Sequence, residues 1–275
     1  MNIDTAYTLN NGIKIPVIGL GVFRSPAGEI TRNAIQHALQ AGYRHIDTAK
    51  IYANEGDVGV AIAESSIPRE EIFVTTKLWN DDQGYDAALR ALDESLARLQ
   101  MEYVDLYLIH WPVDELRLQS WRAMEQAYRD GKALAIGVSN FMKRHVTELL
   151  DNCKIVPAIN QIELSPFNYL YRKDTIDFCL EHDIEIEAYS PLTKGRKLDD
   201  PNLLKLAKKY TKTPAQILIR WALAHEFIVI PKSTNKQRII ENISVFDFSI
   251  SQEDIEFLDG LNENLVTGWD PTDVR

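Results

Sequence analysis

The feature that most constrains the fold is a repeated pairing of a short apolar, β-branched run with a stretch of helical periodicity. Short runs that alternate with helical segments are typical of parallel β/α units. Eight such units predict an α/β protein, a (β/α)8 TIM barrel. The runs lie near residues 17–20, 43–47, 72–77, 104–109, 134–138, 157–162, 184–189 and 227–231.

Two additions to the barrel can be predicted. An alternating stretch over residues 8–15 contains the pair Asn11-Gly12, which predicts an N-terminal β-hairpin. Extra helices over 201–210 and 214–224 fit between the last two strands, the second after a Thr213 cap and Pro214. No linker or low-complexity run divides the chain, so we expect a single domain over residues 1–275.

A doubly wound sheet with a dinucleotide-binding motif is the main alternative, since it also alternates strands and helices. That fold normally offers Gly-x-Gly-x-x-Gly directly after its first strand. Here Gly19-Leu20-Gly21 continues into Val22, Phe23 and Arg24, so the motif is missing.

The charge balance limits the partners. The chain has 30 Lys and Arg against 40 Asp and Glu, a net charge of 30 − 40 = −10, which nucleic-acid phosphates and anionic membranes would repel. We therefore expect no nucleic acid and no membrane as partner. The start of the chain does not look like a secretory signal, and no apolar run reaches about 20 residues, which favours a cytoplasmic location. An acidic surface without an obvious apolar stripe favours a monomer.

Four polar residues lie at or just beyond the ends of successive predicted strands: Asp47, Tyr52, Lys77 and His110. Reduction of a carbonyl by hydride transfer needs a proton donor, and a phenol with a pKa near 10 is a weak one. A lysine ammonium would lower the pKa of Tyr52, Asp47 would fix the ammonium, and His110 would orient the carbonyl oxygen. No metal is needed.

Each of these residues also has a purely structural interpretation. Asp47 could cap a turn, Tyr52 could be half-buried packing, Lys77 could belong to an internal ion pair and His110 could be a core histidine. However, no single structural role explains why four neighbouring strands should each end near a polar residue of this kind. Together the four residues favour an active site.

A second polar set ends the later strands, with Ser139, Asn140, Gln161, Tyr189 and Ser190 as its members. Asn and Gln can pair with a carboxamide, and an aromatic ring can stack on a flat heterocycle; nicotinamide has both features. The remaining positions in this predicted cofactor lining are Leu192 and, after the last strand, Lys232, Ser233 and Thr234.

A helix is predicted to begin just after the last strand. Its free N–H groups favour an anion, and Lys232 and Arg238 flank it, which suggests the 2′-phosphate of NADPH. Alternatively, Lys236 and Arg238 are ordinary solvated helix surface.

Six segments together closely resemble the aldo-keto reductase family, in the family's order and over practically the whole chain: 42–49, 51–52, 76–79, 108–112, 137–141 and 230–233. The resemblance implies a barrel that binds NADPH in an extended pose, with hydride passing from the nicotinamide C4 to a carbonyl carbon. It also implies a catalytic tetrad of Asp47, Tyr52, Lys77 and His110, with Tyr52 as general acid.

The resemblance extends to the cofactor contacts. It implies that Ser139, Asn140 and Gln161 hold the carboxamide, that Tyr189 stacks on the nicotinamide, that Lys232, Ser233 and Arg238 bind the 2′-phosphate, and that Glu241 and Asn242 meet the adenine. Two positions depart from the family pattern, Ala53 beside Tyr52 and Lys194 in a cofactor loop. They bear on loop geometry and cofactor release.

Within the family, residues 160–166 and 268–271 look most like bacterial reductases of the 2,5-diketo-D-gluconate type, which often also reduce methylglyoxal. Phe23, Trp79 and Trp111 would form aromatic walls of a shallow pocket for small aldehydes and ketones. The alternative function is a redox-sensing accessory protein that holds NADPH with little turnover, as some relatives do.

Overall fold

The computed structural model describes residues 1–274, and an eight-stranded parallel sheet forms its centre. An antiparallel hairpin, β1 and β2, precedes this sheet, with Tyr7 opposite Ile15. The strands are β1 Ala6–Thr8, β2 Lys14–Pro16, β3 Leu20–Gly21, β4 His45–Asp47, β5 Phe73–Leu78, β6 Val104–Ile109, β7 Ala133–Ser139, β8 Ile159–Glu163, β9 Glu185–Tyr189 and β10 Ile228–Ile230.

Helices follow the barrel strands from β3 onward. They are α1 Glu29–Gln40, α2 Glu55–Ala63, α3 Tyr85–Leu99, α4 Arg117–Arg129, α5 Lys143–Leu150, α6 Tyr169–Leu180, α7 Pro201–Tyr210, α8 Pro214–Ala224, α9 Lys236–Ile243 and α10 Gln252–Asp259. The two extra helices before the last strand are confirmed at the predicted residues, and Thr213 caps α8 by accepting the N–H of Gln216.

The first and last barrel strands meet and close the sheet. The N–H of Gly19 donates to the carbonyl of Val229 at 2.9 Å, and the N–H of Val229 donates to the carbonyl of Val17 at 3.0 Å. A side chain at Gly19 would place its Cβ 2.7 Å from the ring of His45, so this close approach requires glycine. The predicted (β/α)8 TIM barrel is confirmed.

The hairpin covers the amino-terminal end of the barrel. Leu9 and Ile15 pack with Phe73, Leu106 and other interior residues in a buried cluster separate from the larger layer between sheet and helices. With that end closed, the carboxyl ends of the strands form the open rim, where barrel enzymes place their sites. Within residues 1–274, no helix has the length and apolarity to cross a bilayer.

Candidate functional site

The four side chains predicted to act together do meet at the rim. Lys77 is fully buried, and its Nζ donates to Asp47 Oδ2 at 2.6 Å and to the carbonyl of Thr48 at 2.8 Å. The same ammonium lies 3.5 Å from the hydroxyl of Tyr52. The His110 ring stands edge-on to the Tyr52 ring, with 5.6 Å between centroids. The sequence prediction that these groups converge therefore agrees with the geometry, and their catalytic roles stay a proposal.

The loop after β4 fixes the position of Tyr52. Tyr52 ends a short 3₁₀ turn, and Ala53 then adopts a left-handed backbone with φ of 56°. The Asn54 side chain accepts a hydrogen bond from Thr48 at 2.8 Å and donates to the carbonyl of Val22 at 3.0 Å, so it ties the loop to two strand ends. The left-handed Ala53 is the first departure from the family pattern, and glycine would adopt this conformation without strain.

The electrostatics of Tyr52 differ from the sequence expectation. Burial raises the pKa of Tyr52 well above its usual value, and the nearby carboxylates of Asp47 and Glu187 raise it further. The pKa of Tyr52 is therefore not lowered in this state as the sequence led us to expect: burial is the largest influence, and the Lys77 ammonium beside the phenol is itself paired with Asp47 at 2.6 Å. The phenol is therefore fully protonated at neutral pH.

His110 is neutral. Burial and the positive charge of Lys77 hold its pKa well below the usual range. Within residues 1–274, its Nδ1 atom has no hydrogen-bond partner. A neutral imidazole carries one N–H, so His110 can donate one hydrogen bond to an oxygen near Tyr52.

The predicted carboxamide contacts form one connected network. Asn140 Nδ2 donates to the carbonyl of His110 and to Ser139 Oγ, each at 3.0 Å. Asn140 Oδ1 accepts the hydroxyl of Tyr189 at 2.8 Å, and Ser139 Oγ donates to the main-chain oxygen of Gln161 at 2.9 Å. The network joins the cofactor lining to the backbone of His110 and fixes the amide of Asn140.

Gln161 links this lining to the ion pair below it. Its Nε2 donates to Asp47 Oδ2 at 2.8 Å and to Glu187 Oε2 at 2.6 Å. Both amide hydrogens are used, so only the Oε1 acceptor is left for a ligand. Sequence reasoning missed Glu187. The available signal was strand parity, because Glu187 lies two residues before Tyr189 in β9 and faces the same side.

The predicted phosphate site lies at the start of α9. Asn235 caps this helix through its Oδ1 atom, which accepts the N–H of Arg238 at 3.1 Å, and Ser233 Oγ accepts the N–H of Asn235 at 3.1 Å. Lys232 and Arg238 make no ion pair within residues 1–274. Two unpaired cations beside a capped helix N-terminus form a suitable anion site.

The remaining predicted cofactor residues lie in the loop after β9 and around the start of α9. Lys232 pairs with Gly21 in a parallel bridge, so the phosphate site and the tetrad share one rim. One carboxylate oxygen of Glu241, Oε1, already accepts a hydrogen bond from the hydroxyl of Thr213 at 2.7 Å. The structure places the others as follows: Asn242 buried on α9, Thr234 exposed before it, and Ser190 and Leu192 half-buried in the loop after β9.

Aromatic side chains surround the tetrad as predicted. The Phe23 ring lies 5.0 Å from that of Tyr52, and the Trp79 ring lies 5.3 Å from that of His110. Trp269 from the C-terminal tail joins them, with its ring 6.2 Å from Trp79 and 6.0 Å from Trp111. Trp269 is 68% exposed, and sequence reasoning did not place it in the wall.

Polar anchors hold the tail in this position. The Glu163 carboxylate accepts the N–H groups of Thr267 at 2.8 Å and Gly268 at 3.2 Å. Lys194, the second departure from the family pattern, donates to the carbonyl of Thr267 at 2.9 Å. These contacts connect the loop after β9 to the residues just before Trp269.

Comparisons with known proteins agree with this geometry. A family model described as the aldo/keto reductase family matches residues 18–263. The chain is 47% identical over 266 residues to a glyoxal reductase of Bacillus subtilis, covering 97% of this chain and 96% of the relative. It is 49% identical over 268 residues to a 9,11-endoperoxide prostaglandin H2 reductase of Trypanosoma cruzi, covering 96% and 94%.

Solved structures show the same similarity. A crystal structure of an aldo-keto reductase from a deep-sea metagenome library has a TM-score of 0.93 and 45% identity, covering 98% of this chain and 99% of that chain. The Bombyx mori aldo-keto reductase in complex with NADP has a TM-score of 0.89 and 41% identity, covering 96% and 94%.

Proposed function

The chain belongs to the aldo/keto reductase family, and from that premise we propose that it uses NADPH to reduce small aldehydes and ketones to alcohols. The observation that carries this proposal is the cluster at the rim, in which Lys77 pairs with Asp47 at 2.6 Å beside the hydroxyl of Tyr52, with His110 edge-on to it. The ion pair with Asp47 stabilises the buried lysine, and it also holds the ammonium 3.5 Å from a phenol at the open rim.

The residues present fit a nicotinamide cofactor that carries a 2′-phosphate. Asn140 Oδ1 and Gln161 Oε1 are acceptors suited to the amino group of a carboxamide, because the donors of both side chains are already used. Lys232 and Arg238 lie near the start of α9, and neither has an acidic partner among residues 1–274. One structural neighbour is in complex with NADP, which supports the same cofactor here.

When bound, NADPH would supply hydride to the carbonyl carbon, and the protein's own residues would supply the proton. The protonated phenol of Tyr52 would donate it to the developing alkoxide oxygen. The resulting phenolate would face the Lys77 ammonium at 3.5 Å, which would stabilise it. The N–H of neutral His110 would hold the oxygen in position.

We propose small aldehydes and ketoaldehydes such as methylglyoxal as substrates, with sugar-derived ketones such as 2,5-diketo-D-gluconate as a second class. The aromatic walls and the exposed Trp269 suit compact molecules, and the similarity to a glyoxal reductase supports the first class. The test is NADPH oxidation by the purified protein with a panel of these compounds and aromatic aldehydes. A stable NADPH complex without turnover on the whole panel would favour the accessory function instead.

Replacement of Arg238 by alanine should weaken the binding of NADPH much more than the binding of NADH. Loss of one phosphate contact with a charged donor costs on the order of 10-fold to 100-fold in affinity. NADH has no 2′-phosphate and should change less than about 2-fold by the same reasoning. Fluorescence titration of both cofactors measures this, with Lys236→Ala as matched control. Equal losses for both cofactors would contradict the phosphate assignment.

Replacement of Trp269 by alanine should raise KM for aromatic aldehydes and leave the affinity for NADPH unchanged. The indole contacts the rings of Trp79 and Trp111 in the aromatic wall. An aromatic aldehyde would lose its contact with the indole ring, and one aromatic pair contributes about 0.5–1.5 kcal/mol, or roughly 2-fold to 10-fold in KM. Steady-state kinetics with benzaldehyde and methylglyoxal test this. An unchanged KM for both substrates would remove Trp269 from the substrate pocket.

A further inference from the structure

A second carboxyl lies beneath the proposed site and takes no part in the proton transfer above. Glu187 in β9 is 0% exposed, and its Oε2 accepts Gln161 Nε2 at 2.6 Å. The same amide donates to Asp47 Oδ2 at 2.8 Å. One glutamine therefore bridges two buried carboxyls, and only one of them, Asp47, contacts the lysine.

The groups facing Glu187 carry too little positive charge for both carboxyls to be ionised. His45 from β4 lies 3.5 Å away, and burial together with Lys77 lowers the pKa of His45 to about 3, so it is neutral. Among the described residues, Lys77 from β5 is the one cation near Glu187, and it is already paired with Asp47. A second ionised carboxyl would be an unpaired buried charge, which is costly.

Glu187 therefore carries a proton at neutral pH. Burial, followed by the negative charge of Asp47, raises the pKa of Glu187 to about 8, although the hydrogen bond from Gln161 and the charge of Lys77 act in the opposite direction. Neutral His45 and protonated Tyr52 keep their charge states over the range in which Glu187 titrates. Glu187 is thus the group that can change charge near neutral pH.

The two states of the cofactor differ by one charge in this part of the site. The oxidised nicotinamide ring is cationic and the reduced ring is neutral. Gln161, which holds Glu187, and Tyr189, two residues along the same strand, are the residues that the proposed function assigns to the nicotinamide. A cation bound there favours the ionised form of a nearby carboxyl.

We propose that Glu187 is a specificity-determining residue that makes the choice between NADP+ and NADPH depend on pH. It stays neutral when NADPH is bound, and it ionises and releases its proton to solvent when NADP+ is bound. No redox step is involved, and one proton leaves for each protonated site that takes up NADP+. This inference rests on the proposed function.

The direction of the pH effect follows from linkage. Ionised Glu187 binds NADP+ better than neutral Glu187 does, so the ratio of Kd for NADP+ to Kd for NADPH falls as pH rises through the pKa. Each unit by which NADP+ lowers this pKa corresponds to about a tenfold change in the ratio. The ratio cancels effects of the 2′-phosphate, Lys232 and Arg238, because both cofactors share those contacts.

The test is a fluorescence titration of both cofactors from about pH 6.5 to pH 9 with three proteins. The ratio should fall about tenfold in the wild type and stay flat in Glu187→Gln, which mimics the neutral carboxyl. Glu185→Gln is the matched control. Glu185 begins the same strand, burial also raises its pKa, and the charges that act on it are those of Glu226 and Asp183, outside the cofactor lining. The control should behave like the wild type. A ratio that falls equally in Glu187→Gln would overturn the proposal.

Calorimetry on the wild type gives a second test that needs no variant. Titrations in buffers of different ionisation enthalpy count the protons released on binding. NADP+ should release about half of one proton near pH 7.5 and NADPH almost none, as a pKa lowered by about one unit requires. Equal counts for both cofactors overturn the inference alone, whereas failure to bind either cofactor overturns the proposed function as well.

Discussion

Replacement of Tyr52 by phenylalanine should lower kcat for carbonyl reduction by about 10³-fold, because a positioned general acid contributes typically 10²-fold to 10⁴-fold. The variant should fold normally. Among residues 1–274, Lys77 at 3.5 Å is the one hydrogen-bond partner of the hydroxyl, and the ring keeps its contacts with Phe23 and His110. Steady-state kinetics with methylglyoxal and a fluorescence titration with NADPH measure the two effects.

The controls separate chemistry from binding. Affinity for NADPH should change less than about 2-fold, because Tyr52 has no part in the carboxamide or phosphate contacts. Phe23→Leu changes the wall beside the same ring and should alter kcat far less than Tyr52→Phe does. Turnover by Tyr52→Phe within about tenfold of the wild type would remove the phenol from the acid role.

The sequence predicted the barrel closely because its local signals were strong. The helices at Pro201–Tyr210 and Pro214–Ala224 lie where periodicity and a Thr-Pro cap placed them. Strand limits differ by a few residues, as with β3, which spans only Leu20–Gly21 against a predicted 17–20. Ile18, just before β3, still pairs with Val229 of β10 through an isolated parallel bridge.

The electrostatics of the site could not be predicted from strand endings. The pKa of Tyr52 is raised first by burial and then by Asp47 and Glu187, and Glu187 comes from a strand far along the chain. Trp269 is held near the wall by anchors on both sides: Glu163 and Lys194 bind the tail before it, and Arg172 binds Asp270 after it. Such contacts join segments that no local pattern connects. The single-domain prediction and the individual residue roles stay predictions.

Replacement of Lys77 by methionine should reduce both stability and turnover. Lys77 is the partner of Asp47 in a fully buried ion pair, and its loss would leave that carboxylate without a cation. Breaking such a pair from one side costs about 3–5 kcal/mol in the free energy of unfolding. Because the phenolate of Tyr52 would also lose its ammonium, kcat should fall by about 10²-fold or more. Urea denaturation and steady-state kinetics measure the two losses.

The origin of the two losses can be separated by a second substitution. The instability of Lys77→Met comes from the buried negative charge that Asp47 keeps after its cation is removed. Adding Asp47→Asn removes that charge at every pH and should restore most of the stability, since Gln161 still has Glu187 as an acceptor. The double variant should stay inactive, because the phenolate still lacks a cation. If the double variant recovered turnover together with stability, Lys77 would serve only the fold. If Lys77→Met alone were as stable as the wild type at neutral pH, the Asp47 charge would be solvated rather than buried.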